Sequence, residues 1–320
     1  MQRKLIFLSL LLLVQLGLAF GLGLNNQQLE TFNATEKLLS FSATDADQMS
    51  FSGENNVEII LQKQGSDWTL PARFGAPADG EKVADLLQNL VDIRRPWPVA
   101  ENGATDSRFK VADDNYELRM NFMQGDKPLG TLLLGRSPGF RKVYARVAEE
   151  RKVYAIPFSS YQASLKPEDW IDKRSLQVNA AQISSIELPF GRLSRQGKVL
   201  QLDELNENER TDEQKADELV GKLANLTILD IVGKSGQTLA NQVELSFSLT
   251  LQEGKVRSYR LLKGDKEGEL LLHLSDQPYL YKVNPGLKDE LLLYTRELLV
   301  KNVDPKETSL TREVKPPSAG

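Results

Sequence analysis

Two stretches of this sequence, 133 residues apart, carry apolar residues in one helical spacing, and each leads into strands in the same order. Val83, Leu86, Leu87, Leu90 and Val91 recur at steps of three, one, three and one; Ala216, Leu219, Val220, Leu223 and Leu226 follow a closely similar spacing. That periodicity puts the apolar side chains of each stretch on one face of an α-helix. Asp79 precedes the first stretch as an N-cap, because its carboxylate can accept a bond from a free first-turn amide. Residues 57–61 and Trp68-Thr69-Leu70 read as a hairpin about a Gly65-Ser66-Asp67 turn, ending at Pro71. After the helix, Tyr116, Leu118, Met120 and Phe122 alternate, and apolar runs follow at 129–134, 143–147 and 153–156. Turn residues at Gly125-Asp126, at 135–139 and at Glu149-Glu150 separate these runs, which is the signature of an antiparallel meander.

The second half repeats the order, with strands at 183–188 and 199–202, a helix at 211–226, and strands at 243–251, 257–262, 270–274 and 279–283. Leu86 aligns with Leu219 at an offset of 133, whereas Leu118 with Leu245 and Tyr154 with Tyr281 give 127. A near-constant offset through helix and strands points to a tandem duplication. The fold class expected is α+β: two tandem repeats, 47–176 and 177–303, each an antiparallel sheet meander with a covering helix. A closing helix is expected over 287–300, with Leu291, Tyr294 and Leu298 on one side.

Ahead of the repeats, Arg3 and Lys4 precede an uncharged run, 5–24, interrupted only by Ser9 and Gln15. A helix of that length spans about 30 Å, the thickness of a bilayer core. The alternative is a cleaved secretory signal, since Ala19 and Gly21 offer small residues for cleavage after Gly21. Apolar cores of such signals are typically shorter, about 7–15 residues, so an uncleaved signal-anchor transmembrane helix over 1–24 is the preferred reading. Basic residues flank only its N-terminal side until Lys37, which leaves the N-terminus in the cytoplasm and exports the rest. Residues 25–46 are polar and read as a stalk. Residues 304–320, with Pro305, Pro316 and Pro317 and no apolar period, read as a disordered tail.

Composition removes most chemistry. With no Cys there is no thiol nucleophile, disulfide framework, zinc–thiolate site or iron–sulfur cluster. One histidine, His273, makes no His-rich metal site, and no Gly-x-Ser-x-Gly elbow supplies it with a nucleophile. No metal site and no cofactor are expected. A net charge of −4 and an isoelectric point near 5.4 argue against nucleic acid as a partner. The adjacent acids Asp113-Asp114 and Glu149-Glu150 sit in turns and do not face each other across a cleft. Residues 203–218 hold eight acids and two bases, the composition of a solvated loop and helix start or of a cation-binding surface.

Three motifs carry a family resemblance. Gly75-Ala76-Pro77-Ala78-Asp79 opens the first helix. Leu134-Gly135-Arg136 leads through Val143-Tyr144-Ala145-Arg146 to Val153-Tyr154-Ala155-Ile156-Pro157. The third is Trp170-Ile171-Asp172-Lys173-Arg174-Ser175-Leu176. In this order, behind a membrane anchor, they resemble the DUF4340 family, well over 47–176 and more weakly to about 303. The second half lacks the Gly-Ala-Pro-Ala-Asp stretch. The resemblance implies a bacterial envelope protein, anchored in the inner membrane with its repeats in the periplasm. It further implies an accessory role beside ABC-transporter components of the gliding-motility auxiliary type, and it assigns no catalytic residues.

Two candidate binding elements emerge. The loop from Gly135 to Lys142 places Arg136, Arg141 and Lys142 around flexible backbone, with Arg146, Arg151 and Lys152 on the strands that follow. Such a cluster suits a carboxylate, a phosphate or anionic lipid headgroups, although it has no P-loop spacing. The alternative is a hairpin turn with solvated charges. Trp170, Asp172 and Arg174 form either a recognition surface or a structural corner in which Trp170 plugs the core and Asp172 pairs with Arg174 or caps a turn. Trp68 and Trp97, beside turn residues, read as core plugs.

The functional expectation is a non-enzymatic accessory, scaffolding or ligand-binding protein, partnered by the membrane and an ABC-type permease or another envelope protein. The alternatives are an envelope hydrolase acting on glycan or lipid, and a soluble periplasmic binding protein after signal cleavage.

Overall fold

The computed structural model describes residues 36–54, 57–235 and 243–303. The expected anchor, the start of the stalk and the tail lie outside the described residues. Among the described residues no helix is long and apolar enough to cross a membrane. The protein is α+β, built mostly of antiparallel sheets with a few helices. Its described residues divide into two compact units, one within 1–58 and 84–165, the other within 59–83 and 166–320.

In the first unit, antiparallel strands lie in the order Gln48–Gly53, Leu118–Gln124, Lys127–Leu134, Val143–Val147, Val153–Ile156 and Pro98–Ala100. Alternation decides which face is inside: Leu118, Met120 and Phe122 are buried, whereas the residues between them are half-exposed. Within the segment read as stalk, Leu38, Leu39 and Phe41 are buried, and the Phe41 ring lies 5.1 Å from that of Phe122.

In the second unit, Glu58–Gln64, Asp67–Leu70 and Ala76–Pro77 pair in that order. A separate eight-stranded sheet runs Val199–Leu202, Gly191–Gln196, Ile183–Leu188, Val243–Leu251, Val256–Lys263, Leu270–Leu274, Tyr279–Val283 and Asp230–Lys234. Two of these strands, Gly191–Gln196 and Asp230–Lys234, carry too few apolar residues to announce themselves. Leu193 is the only buried residue of the former, whose Arg195 instead binds the backbone oxygens of Ile183, Ala180 and Lys198.

Helix α1 (Gly80–Val91) and helix α2 (Glu213–Ala224) both bury the face their spacing predicts. Asp79 caps α1, accepting the Lys82 amide at 3.2 Å, and Asp212 caps α2, accepting the Lys215 amide at 3.3 Å. The second helix is shorter than the expected 211–226, because Thr211 belongs to strand Glu209–Thr211. The expected closing helix over 287–300 is instead two short helices, Leu287–Leu292 and Arg296–Leu299, followed by strand Val300–Asn302. Thr295 causes the break: its backbone is extended and its hydroxyl accepts the Leu298 amide, capping a new turn where one helix would have continued.

Candidate functional site

The basic loop is a hydrogen-bonded hairpin connection. Leu134 and Ala145 pair across it, the Gly135 amide donates to Tyr144 O at 2.8 Å, and the Tyr144 amide to Arg136 O at 3.0 Å. Gly135 has no substitute: a β-carbon there would sit 2.0 Å from Phe109 O and 2.5 Å from Lys110 O, both fixed backbone. Inside the loop, the Ser137 hydroxyl lies 2.7 Å from Gly139 O and 2.8 Å from Lys142 O, and accepts the Gly139 amide at 3.3 Å. Arg141 takes a left-handed backbone (φ 54°) and lays its guanidinium 4.9 Å from the centre of the Phe140 ring. Arg136, Arg141 and Lys142 are exposed, and among the described residues none has an ion-pair partner.

The basic residues that follow the loop do not join it. Arg146 is buried at 5 % exposure and is a structural arginine. Its Nε donates to Val111 O at 2.7 Å, one terminal nitrogen to Ala148 O and Glu150 O, and the other to Asp113 Oδ1 at 2.8 Å, with Asp106 at 3.5 Å. Arg146 shares its strand face with Tyr144, and the segment carrying Val111 and Asp113 covers it there. Arg151 and Lys152 lie in the turn at the far end of the same strand pair, about 16 Å of strand away.

Trp170, Asp172 and Arg174 come together with the Gly75–Asp79 motif. Ala78 pairs with Ile171, the Asp79 amide donates to Trp170 O at 2.8 Å, and the Asp172 amide to Pro77 O at 3.1 Å. Trp170 has no exposed surface, and Lys82 places its ammonium 4.6 Å from the centre of the indole while donating to Asp169 O at 2.7 Å. Asp172 accepts the Arg174 amide at 3.0 Å and its Nε at 3.1 Å, capping the 3₁₀ turn Lys173–Leu176. Arg174 also reaches Glu81 at 3.1 Å and Asp79 at 3.7 Å. The hydrogen bonds it donates to Asp172, and then to Glu81, raise the pKa of its guanidinium. Charge meets charge within this cluster, and the indole is sealed beneath it.

The remaining candidates resolve one by one. His273 is half-buried opposite Arg260, and burial first, then that cation, lowers its pKa. Asp113 pairs with Arg146, and Glu150 with both terminal nitrogens of Arg95. In the acidic stretch, Glu209 is held to about 2 by hydrogen bonds from Arg296, Asp212 meets Lys301 at 2.8 Å, and Glu218 meets Lys215 at 2.7 Å. Trp68 is buried as expected, but Trp97 is 70 % exposed. It lies between Pro96 and Pro98 at the start of an edge strand, where no second layer covers it. Trp97 instead walls an open groove of about 850 Å³ in the first unit, shared with Asn89, Asp92, Arg94, Phe158 and Gln162. Two other exposed aromatics carried no periodic signal: Phe140 at 86 % and Tyr161 at 92 % exposure. For Phe140 the available clue was its turn context, an apolar ring among Gly, Pro, Ser and charged residues.

The architecture defines the class: an α+β protein in which capped amphipathic helices accompany antiparallel sheets. The family model described as "Domain of unknown function (DUF4340)" matches residues 68–248, more than half of the chain, and the protein belongs to that family. All three motifs fall inside this span. No curated protein and no solved structure matches the chain.

Proposed function

We propose that this chain is a non-enzymatic accessory protein of the bacterial periplasm, held in the inner membrane by one N-terminal helix and working by contact beside an ABC-type permease. The observation that carries the binding role is the loop at 135–142, which presents Arg136, Arg141 and Lys142 on a hydrogen-bonded backbone without ion-pair partners among the described residues. Exposed cations on a hydrogen-bonded turn suit recognition of an anionic group, since the backbone has less ordering entropy to lose on binding. The uncharged run at 5–24 supports the anchor. An anchored protein also meets neighbours in the same membrane at a raised effective concentration.

Two tandem repeats are part of this reading. Asp79, Lys82, Leu86 and Leu90 correspond to Asp212, Lys215, Leu219 and Leu223 at an offset of 133, in residue and in structural role.

The test is crosslinking of the full chain in native membranes, followed by identification of its partners. With Arg136, Arg141 and Lys142 changed to Glu together, a permease crosslink is expected to be lost while the protein stays folded. A native chain that crosslinks to no permease subunit removes the accessory role.

A further inference from the structure

One end of the first unit gathers more than the basic loop. Val143 pairs with Ile156, so the loop ending at Lys142 and the segment starting at Pro157 leave the sheet side by side. Pro98 pairs with Tyr154 and Ala100 with Val153, so Trp97 emerges toward that same end. The result is a surface carrying Arg136, Arg141 and Lys142 together with Phe140, Trp97 and Tyr161, the three most exposed aromatic side chains among the described residues. The chain joins the unit along the segment that leads into Trp97. The Arg95 amide donates to Glu36 O, Lys37 bridges to Arg94, and the Leu38 amide donates to Ile93 O. Of the carboxylates nearby, Asp92 is engaged by Lys37 and Gln88 and Glu54 by Lys110, while Glu117, whose amide donates to Leu134 O at 3.1 Å, is exposed. The end therefore gathers three cations and three aromatic rings, with Glu117 as the exposed acid beside them.

We infer that this end of the first unit is a membrane-docking surface, with Arg136, Arg141 and Lys142 on lipid phosphates and Phe140, Trp97 and Tyr161 in the headgroup boundary. The inference rests on the anchored reading above and names the anionic group the loop takes. Amphipathic rings and basic side chains are the residues that settle at a bilayer interface, the rings at headgroup depth and the cations on anionic lipid. Eleven residues lie between Leu24 and Glu36, and they reach about 40 Å at most, so the first unit cannot stray far from the bilayer. The Arg141–Phe140 stack fits the same role, because it couples a cation and an aromatic ring at the tip of one turn.

The experiment uses the full chain in nanodiscs of phosphatidylcholine, with or without phosphatidylglycerol, whose acyl chains are brominated near the headgroup. Trp68 and Trp170 are buried, so contact quenching reports Trp97, and W97F supplies the baseline. Docking predicts strong quenching in anionic discs, weak quenching in phosphatidylcholine alone, and relief by high salt. Each cation is worth about fivefold at an anionic surface, so R136Q/R141Q/K142Q is expected to lower the docking equilibrium about a hundredfold. Retained unfolding midpoints exclude misfolding as the cause. Equal quenching in both lipids, or none in either, overturns the inference. Reversal by free inorganic phosphate at constant ionic strength overturns it in favour of a discrete phosphate site. Loss of docking leaves the accessory reading standing if the permease crosslink still depends on the loop, and docking without that crosslink leaves the inference standing alone.

Discussion

Both capped helices are held at their first turn by a later segment of chain, and the two attachments use different chemistry. At α1, Ala78 pairs with Ile171 in a single bridge, and Trp170 fills the space beneath. At α2, three residues pair instead of one: Glu209 with Asn302, Arg210 with Lys301 and Thr211 with Val300. The position corresponding to Trp170 is Leu299, also fully buried. The Asp79 amide donates to Trp170 O, and the Asp212 amide to Leu299 O, both at 2.8 Å. The capping aspartates then meet a cation from the attaching segment, Arg174 at 3.7 Å in one case and Lys301 at 2.8 Å in the other. One attachment relies on aromatic burial with little ladder; the other relies on a ladder and a smaller plug. Main-chain pairing and apolar burial are interchangeable means of fixing a helix start, provided the cap is kept.

Trp170→Ala offers the largest test of that contrast. It is expected to cost about 4 kcal/mol in denaturant unfolding, against about 3 kcal/mol for Leu299→Ala, since the first attachment has less main-chain pairing to fall back on. Equal losses would mean that the ladder contributes nothing extra. Trp170→Leu, which installs the second attachment's side chain without its ladder, should fall between wild type and Trp170→Ala.

Cap removal comes next. Asp79→Ala should cost about 1 kcal/mol. Asp212→Ala should destabilise in the same direction and also release Lys301, so Lys301→Ala should add little in its background and more in the parent. Independent, additive effects would show that the Lys301 pair is idle.

The smallest expected effect is on pH. Arg296 hydrogen bonds hold Glu209 at about 2, and Lys301 leads the causes that lower Asp212. Because the folded values lie below the unfolded ones, both carboxylates stabilise the fold above the ordinary carboxylate range. That contribution fades as pH falls from about 4.5 toward 2. Glu209→Gln should lower the unfolding midpoint at pH 7 and flatten its decline across that window. A parallel decline in both proteins would place the acid sensitivity elsewhere.

Much of this architecture was legible in the residues. Both helix faces, the Asp79 cap and the meander at 118–156 followed from period and turn chemistry, which are local. The strands at 191–196 and 230–234 were not legible, because their pairing, rather than their apolar content, makes them strands. The break at Thr295 was hidden for a related reason: a hydroxyl can serve a helix interior or cap a new turn, and neighbouring packing decides which. The basic loop could be named from its composition, but its aromatic companions Trp97 and Tyr161 reach the same end only through strand register.

The opening observation, one helical spacing written twice at an offset of 133, determined by itself which faces are buried, since periodicity and side-chain direction are set residue by residue. Tertiary structure alone decided the fate of the charges. Arg146 and Arg136 look alike in sequence, ten residues apart on either side of one turn. Arg146 lies on the strand face opposite Val143, Ala145 and Val147, where the segment carrying Val111 and Asp113 covers it, whereas Arg136 is left exposed in the turn. A cation's role depends on what surrounds it in space, and those neighbours come from parts of the chain that no local pattern connects.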